Sequence, residues 1–324
     1  MYQGRAECHC CGGEEFKRNG KFSNRNRMVQ RFQCLHCGGT YSETQPLDGV
    51  RIETDKAAMV VKMLAEGCGV RAIARLTDLN KNTVLNILET AGQHCWQFLD
   101  QRLVNLRVSD VEVDEVFGFV KTLEYHVTPE NAAQYGDQYL FLAMERTSKL
   151  ILNWEIGKRG AETAADFLYG LRRRISGHCQ ITTDGFKPYC EKQQCGVAAV
   201  FGSDADYGIE MKGYSSPPSF GKRKAPLQLE WIKRVAQSGN PDPAKMTVNH
   251  MERQNLNVRL FNRRFTRKTL GYSKCLRNHR LAVALQIAHF NFCRVHSAHK
   301  MTPAMAAGLT DHKWTVGELL AAPV

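Results

Sequence analysis

Apolar and polar positions follow three different patterns along the chain, and each pattern predicts a different kind of structure. Residues 1–45 contain few large apolar side chains, too few for a hydrophobic core that folds without further support. Residues 54–89 repeat apolar side chains at intervals of three and four, which predicts helices. Residues 108–183 contain runs that favour strands and one amphipathic stretch. The chain is therefore expected to form a small N-terminal unit, a helical unit and a mixed α/β unit.

The helical stretch predicts three helices joined by tight turns. They cover residues 54–65, 70–76 and 81–89. A short helix, a turn and a second helix that opens with polar residues are typical of the helix-turn-helix motif. The polar side chains that would reach base edges of DNA are Lys81, Asn82 and Thr83. A plain three-helix packing module explains the same periodicity and remains the alternative.

The mixed stretch predicts three strands, a helix and a fourth strand. The strands cover 108–121, 138–145, 150–156 and 179–183, and the helix covers 161–175. This is the element order of an RNase H-like fold, in which the first and fourth strands are neighbours. Asp114 on the first strand and Asp184 after the fourth would then meet. Beyond them we expect a fifth strand at 196–201, a mobile basic loop at 214–224 and a final helix at 276–294.

One acidic residue, Glu252, stands alone in a long basic stretch. Between Lys245 and Thr310 it is the only carboxylate, among twelve Lys and Arg residues. At helical spacing, one face would carry Glu252, Asn255, Arg259 and Arg263. Such a face suits a helix that holds a divalent ion and follows a DNA backbone. A solvated basic helix with one internal ion pair is the alternative.

The charge of the whole chain points to a polyanionic partner. The 44 Lys and Arg residues outnumber the 32 Asp and Glu residues, which gives a net charge of +12. A membrane partner is not expected, because no apolar run approaches the roughly 20 residues that a span needs. Residues 1–7 lack the apolar core of a signal peptide, so a cytoplasmic protein is expected.

The cysteines predict a zinc site rather than disulfides. Five of the 12 cysteines lie within residues 8–37, and the others are scattered without paired spacing. Two Cys-x-x-Cys pairs, each followed by glycine, supply the four thiolates that Zn²⁺ prefers. The predicted ligands are Cys8, Cys11, Cys34 and Cys37, in a zinc ribbon over residues 1–45. His9 and Cys10 are spare donors, and reactive thiols without a metal are the alternative.

Acidic residues far apart in the chain are the candidates for a catalytic metal site. Phosphoryl transfer on DNA uses two divalent ions about 3.5–4 Å apart, and carboxylates bind such ions. The candidate set is Asp114, Asp184 and Glu252. Alternation along a strand places Asp114 and Glu115 on opposite faces, so only one is expected to face the site. The competing candidates are Glu115, Asp110, Asp204 and Asp206.

Several of these motifs together resemble the DDE-type transposases of bacterial insertion sequences, in particular the Insertion Sequence One family. The resemblance runs from the cysteine pairs to the tail at 290–305. Its most specific piece is Glu252-Arg253-Gln254-Asn255-Leu256, whereas Thr183-Asp184-Gly185 alone is weak. The chain departs from the family at Val116, because the family often has Trp two residues after the first catalytic Asp. The exchange is apolar and leaves all three acids in place.

The resemblance implies a multidomain transposase that acts on double-stranded DNA. Its units would be a zinc ribbon at 1–45, a helix-turn-helix domain at 50–100 and an RNase H-like catalytic domain at 105–310. Asp114, Asp184 and Glu252 would form the DDE triad with Mg²⁺ or Mn²⁺. DNA phosphates would be neutralised by Arg253, Arg259, Arg263, Arg264 and Arg267. Joining at two element ends implies a homodimer or larger assembly. A DNA-binding regulator with an inactive nuclease-like half, and a nuclease without strand transfer, remain alternatives.

Overall fold

The computed structural model describes most of the 324-residue chain. The described residues are 8, 10–11, 13–23, 28–42, 47, 50, 52–191, 195–215 and 227–324. Most of the predicted basic loop, from 216 to 224, lies outside these residues.

A small three-stranded sheet forms the N-terminal unit. Its strands are β1 (Phe16–Ser23), β2 (Met28–Cys34) and β3 (Thr40–Ser42), antiparallel and in that order. The rings of Phe16 and Phe32 meet edge to face, with their centroids 4.9 Å apart. Most residues of β1 are exposed, so the sheet buries little apolar surface of its own. A four-cysteine cluster lies beside this sheet and precedes a mixed α/β region.

Three helices follow the small sheet. They are α1 (Thr54–Ala65), α2 (Val70–Thr77) and α3 (Lys81–Arg102). The backbone N–H of Asn82 donates to the side chain of Asn80, which therefore caps the start of α3. The third helix continues well past the predicted residue 89. Its later turns carry buried Phe98 and Leu99, and they contribute to the same core as the sheet that follows.

A six-stranded mixed sheet forms the centre of the remaining chain. Its strands are β4 (Asp110–Val120), β5 (Gly136–Glu145), β6 (Ile151–Gly157), β7 (Cys179–Thr183), β8 (Ala205–Ser215) and β9 (Gln228–Ser238). The spatial order is β6-β5-β4-β7-β8-β9. Strand β7 pairs in parallel with β4 and with β8, and the other neighbours are antiparallel. The four strands predicted between residues 108 and 183 are therefore β4, β5, β6 and β7.

Further helices lie between and after the strands of the sheet. They are α4 (Ala161–Arg174), α5 (Lys187–Cys190), α6 (Val197–Phe201), α7 (Asn249–Phe261), α8 (Leu276–Ala288), α9 (Pro303–Ala306) and α10 (Val316–Ala321). The predicted final helix ends at Ala288 as an α-helix and continues as a π-helical turn, His289–Cys293. None of the helices within the described residues is both long and apolar enough to span a membrane.

The prediction of a strand at 196–201 is wrong, because this segment contains the short helix α6. Val197 and Phe201 are both buried, and they lie four residues apart, on one side of a helical turn. A short apolar run cannot be assigned to helix or strand by its periodicity alone. The fifth strand of the sheet in chain order is instead β8. It was not predicted, because its many polar residues and glycines do not form a recognisable strand pattern.

Helices α3 and α8 pack closely at Gly92. A Cβ atom at this position would lie 2.6 Å from the backbone oxygen of Leu281 and 2.7 Å from its Cβ. Only glycine permits this close approach. The contact joins α3 to the C-terminal part of the chain in one continuous hydrophobic core.

A candidate carboxylate site and a four-cysteine cluster

Asp114 and Asp184 come together at the junction of β4 and β7. The last paired residues of these parallel strands are Glu112 and Thr182. Asp114 and Asp184 each follow two residues later, so they lie at the same level. Gly185 continues the chain with a φ of +85°, a conformation that favours glycine. The backbone N–H of Phe186 donates to Asp184 Oδ1 at 2.9 Å, which fixes the carboxylate at the end of β7.

Glu115 also belongs to this group. One ligand oxygen from each of Asp114, Glu115 and Asp184 lies within 4.8 Å of the others. The prediction that only one of residues 114 and 115 can face the site is wrong. Strand β7 pairs with β4 only as far as Glu112, so the edge of β4 is open beside both acids. Side chains from the two faces of β4 can both reach that open edge.

Arg159 lies beside the carboxylates and partly balances their charge. It follows β6, and its guanidinium donates to Glu115 Oε2 from Nε at 3.3 Å and from the terminal nitrogen at 3.1 Å. The same nitrogen lies 3.9 Å from Asp184 Oδ2. The guanidinium stacks over the Phe186 ring, 4.2 Å from its centroid. Arg159 therefore offsets part of the charge of the three carboxylates, and the group retains an excess of negative charge.

The local environment disfavours the ionised forms of Asp114 and Glu115. Burial raises the pKa of Asp114 to about 7, and the charges of Glu115 and Asp184 contribute further. Burial and the Asp184 charge also raise the pKa of Glu115, although Arg159 opposes the change. Asp114 retains two hydrogen-bond donors, the Glu115 backbone N–H at 2.8 Å and Asn255 Nδ2 at 2.6 Å. A bound cation would relieve the remaining repulsion between the carboxylates.

Two buried carboxylates fix the start of α7 against the sheet. Glu112 on β4 accepts hydrogen bonds from the backbone N–H groups of His250 and Met251, at 3.0 and 3.1 Å. Glu210 on β8 accepts one from the backbone N–H of Val248 at 3.3 Å. Negative charge at a helix N-terminus is favourable, because the free N–H groups there carry partial positive charge. Helix α7 is therefore held against β4 and β8 beside the carboxylate group.

The predicted third acid, Glu252, lies on α7 outside the carboxylate group. Its Oε1 accepts a hydrogen bond from Lys212 Nζ at 2.8 Å, and its side chain is half exposed. Lys212 also donates to Asn249 Oδ1 at 2.7 Å. Asn255, less than one turn after Glu252, does reach the site through its bond to Asp114. The structure thus brings α7 to the carboxylate group through Asn255 but pairs Glu252 with a lysine.

The predicted helical face of α7 is shorter than expected. Asn262 follows the helix with non-helical backbone angles, and its side chain accepts a hydrogen bond from the Arg264 backbone N–H. Arg263 therefore lies in a 3₁₀ turn after the helix. Arg259 remains on α7, close enough to Asp114 for an electrostatic interaction.

The residues predicted to bind DNA differ in exposure. Lys81, Asn82, Arg253, Arg263 and Arg267 are exposed, whereas Thr83, Arg259 and Arg264 are half buried. Burial lowers the pKa of Arg264 to about 10. Its Nε has no hydrogen-bond partner among the described residues. Arg264 is therefore the least available of the set for a phosphate on the surface.

The other candidate acids take part in contacts away from the carboxylate group. Asp110 accepts a hydrogen bond from Ser109 at 2.7 Å and lies 3.4 Å from Lys245 Nζ. Asp204 pairs with Arg172, and Asp206 accepts from the Asn240 backbone N–H at 2.7 Å. Glu115 is thus the one competing candidate that joins Asp114 and Asp184.

The four predicted cysteines converge beside the small sheet. Cys8 Sγ lies 3.5 Å from Cys37 Sγ, and Cys11 Sγ lies 3.6 Å from Cys34 Sγ. All four sulfurs lie within 4.8 Å of one another. In a tetrahedral zinc site with bonds of about 2.3 Å, the sulfurs lie about 3.8 Å apart. The cluster could therefore bind a structural metal such as Zn²⁺.

Backbone N–H groups favour the thiolate at each of the four cysteines, but the neighbouring sulfurs and burial oppose this and raise the pKa of Cys11 and of Cys37, the latter to about 12. The Cys10 backbone N–H makes the largest contribution to lowering the pKa of Cys8 to about 7. The Cys37 backbone N–H does the same for Cys34, whose pKa is also lowered. Gly38 takes a φ of +72° as the chain turns after Cys37. The spare donor Cys10 is exposed and is not a member of the cluster.

Sequence reasoning missed Arg159, which has no motif of its own and reaches the site only because β4 and β6 both pair with β5. Asn255 was named on the predicted face of α7, but its hydrogen bond to Asp114 was not predicted. A comparison with models of known protein families and with curated proteins gave no match to this chain. The family resemblance therefore stays a prediction.

Proposed function

We propose that the chain is a DDE-type transposase, an enzyme that cleaves and joins DNA strands with the help of divalent cations. One observation carries this proposal. Asp114 and Asp184 are distant in sequence, yet they converge with Glu115 where the pairing of the central strands β4 and β7 ends. Separate β-strands hold the acids at the same level, as a rigid metal site requires.

The sheet supports an RNase H-like catalytic domain. Its first three strands in sequence are antiparallel neighbours, and the next two run parallel to the first. Helix α4 connects the third strand to the fourth. This is the arrangement expected when acids on the first and fourth strands meet. Strand β9 and helix α7 then extend the unit and supply Glu252.

The donor set fits a hard divalent cation. All three members of the group are carboxylates, the ligands that Mg²⁺ and Mn²⁺ prefer. Glu115 Oε1 is buried, and the Tyr189 hydroxyl interacts with the Glu115 carboxylate, so a bound cation would share this carboxylate with Tyr189. When bound, the metal would supply an activated water and stabilise the leaving oxygen. Asp114, Asp184 and one further acid would hold it.

Protein groups around the acids would position the DNA. Asn255 orients Asp114, and Arg159 is partly exposed beside the acids, where it could bind a scissile phosphate. Water would cleave one strand and leave a 3′-hydroxyl, which would then attack a phosphodiester of the target strand. Each step breaks one P–O bond and forms another.

Glu252 is the proposed third catalytic acid, and Glu115 is the competing one. For Glu252 to join the group, its carboxylate must leave Lys212. Separate Glu252→Gln and Glu115→Gln variants distinguish the two acids. We expect Glu252→Gln to abolish strand cleavage while DNA binding is retained. Loss of cleavage only in Glu115→Gln would assign the third position to Glu115 instead.

The basic surface would bind double-stranded DNA. The exposed start of α3 would approach base edges, and the exposed arginines around α7 would contact phosphates. The four-cysteine cluster would stabilise the small N-terminal sheet through Zn²⁺. Binding should weaken steeply as salt increases, since cations are released from DNA when arginines replace them.

Strand joining in solution tests the proposal. The protein is incubated with Mg²⁺, a target plasmid and a labelled duplex that carries one end of the DNA segment encoding the chain. We expect label to appear in the plasmid with the unsubstituted protein and with Asp311→Asn, an exposed control. Asp114→Asn and Asp184→Asn should give no joined product. Cutting without joining would favour a nuclease, and binding without either reaction would favour a DNA-binding regulator.

A further inference from the structure

Lys212 joins two acids at the contact between β8 and α7. Its Nζ donates to Glu252 Oε1 at 2.8 Å and to Asn249 Oδ1 at 2.7 Å. The same nitrogen lies 3.4 Å from Glu210 Oε2, so each of its three N–H groups has an acceptor. The Lys212 side chain is 10% exposed, whereas both α7 side chains that accept from it are exposed. Lys212 is therefore a nearly buried cation next to an exposed surface.

The charge of Lys212 is balanced mainly by Glu252. The other acid, Glu210, is fully buried and accepts hydrogen bonds from the Arg234 guanidinium at 3.1 and 3.2 Å. Arg234 and Glu210 therefore balance each other. Lys212 and Glu252 form the second ion pair in a group of four charges that is neutral overall. If the Glu252 carboxylate moved away, a nearly buried positive charge would remain in excess, and such a charge is costly unless another anion replaces the carboxylate.

Helix α7 carries Glu252 between Lys212 and the carboxylate group. Asn249, three residues before Glu252, accepts from Lys212. Asn255, three residues after it, donates to Asp114 Oδ2 at 2.6 Å. Residues three apart are neighbours on a helix surface, so Glu252 lies between these two contacts. A change of rotamer would turn its carboxylate from Lys212 toward Asp114 without movement of the helix.

We propose that a phosphate of bound DNA replaces Glu252 on Lys212, and that the released carboxylate joins Asp114 at the metal site. Lys212 is then a phosphate-binding residue that also decides where Glu252 lies. The exchange rests on the proposed function, because that function supplies both the DNA and the cation. DNA binding and cation binding each release one partner of the ion pair, so each should strengthen the other.

The surroundings of Lys212 suit a phosphate. Asn249 uses only its oxygen for Lys212, which leaves its NH₂ group to donate. Arg253, one turn after Asn249 on α7, is exposed. Phosphates recur about every 3.4 Å along each strand of DNA, so a duplex with one phosphate at the acids brings others near Lys212. Lys212, Asn249 and Arg253 together can bind one of them through charge-assisted hydrogen bonds.

DNA binding in buffer without added Mg²⁺ or Mn²⁺ tests the first half of the exchange. Fluorescence anisotropy gives the affinity for a labelled duplex that carries one end of the DNA segment encoding the chain. Glu252→Gln frees Lys212 for a phosphate and should tighten binding about tenfold, as one charge-assisted contact can. In a Lys212→Met background the same substitution should tighten binding by less than about threefold, since only the general effect of removing a negative charge remains. Equal effects in the two backgrounds overturn the proposal.

Mn²⁺ binding without DNA tests the second half. The spin-resonance signal of free Mn²⁺ gives the affinity. Lys212→Met releases Glu252 and should tighten Mn²⁺ binding about tenfold, whereas in a Glu252→Gln background it should change the affinity by less than about threefold. The variant should fold, because Met is similar in length to Lys and Glu210 keeps its bonds to Arg234. An unchanged affinity in Lys212→Met, or equal changes in the two backgrounds, overturns the proposal.

Asp184→Asn separates the exchange from the proposed function. If this variant loses Mn²⁺ binding but the substitutions at Lys212 and Glu252 act independently, the metal site stands and the exchange alone is rejected. If Mn²⁺ binding does not need Asp184, or the unsubstituted chain does not bind the duplex, the proposed function is rejected and the exchange with it.

Discussion

Replacing Asp114 by Asn should stabilise the metal-free protein at high pH. Burial and two neighbouring carboxylates raise the pKa of Asp114 from its ordinary 3.8 to about 7. The pKa of Asp114 is thus higher in the folded chain than in the unfolded one. Below about pH 4 the acid is protonated in both states and does not change the free energy of unfolding. Between about pH 4 and pH 7 it ionises in the unfolded chain first, which lowers the free energy of unfolding, and this loss is complete above about pH 7. At about 1.4 kcal/mol for each pKa unit, three units correspond to about 4 kcal/mol.

The structure can accommodate the amide at this position. Its oxygen can still accept the hydrogen bond from the Glu115 backbone N–H. Its NH₂ group would face Asn255 Nδ2, but a flip of the Asn255 amide would present Oδ1 instead. That oxygen is buried and has no hydrogen-bond partner among the described residues, so the flip breaks no described bond to it. Most of the electrostatic gain should therefore survive, about 2–4 kcal/mol at pH 8.

Denaturant unfolding at two pH values measures this effect. In magnesium-free buffer without chelator, Asp114→Asn should raise the free energy of unfolding at pH 8. At pH 5 the gain should fall to less than half, because Asp114 is then largely protonated in the folded protein. Asp311→Asn, on an exposed residue, serves as the control. A loss of stability at pH 8, or an equal change at both pH values, would refute the electrostatic argument.

Three further predictions concern the packing, the cysteine cluster and the carboxylates. Gly92→Ala should lower the free energy of unfolding by about 1–3 kcal/mol through overpacking; Gly160→Ala, where an added Cβ meets nothing within 4 Å, should cost less. Cys34→Ser should lower the zinc content measured by mass spectrometry, whereas Cys10→Ser should leave it unchanged; equal losses would contradict the assigned ligands. Mg²⁺ should raise the melting temperature of the unsubstituted protein but not of Asp184→Asn, and an equal rise would place the ion elsewhere.

Much of the fold follows from local patterns in the sequence. The helix predicted at 161–175 from its amphipathic pattern is α4, Ala161–Arg174, and the strand predicted at 179–183 is β7, Cys179–Thr183. The helix α6 could not be predicted, because all six residues at 196–201 are apolar or small and their pattern suits a helix and a strand equally. Strand β9 was missed because its exposed polar and apolar residues follow no core-facing pattern.

The candidate site was predictable only in part. Asp114 and Asp184 could be named because they lie on the first predicted strand and directly after the fourth, which are neighbours in the RNase H-like strand order. The participation of Glu115 depends on where the pairing of β4 with β7 ends, which local sequence does not encode. The position of Glu252 depends on Lys212, which lies 40 residues earlier on β8. Pairing across such distances is decided by the assembled sheet rather than by any one segment.

The position of a bound Mn²⁺ ion tests the central claim most directly. Anomalous X-ray scattering from crystals grown with Mn²⁺ would locate the ion against the protein side chains. The account predicts Mn²⁺ bound by carboxylate oxygens of both Asp114 and Asp184, with Glu115 or Glu252 as the third acid. Mn²⁺ at other acids, with the space between residues 114 and 184 empty at saturating concentration, would contradict it.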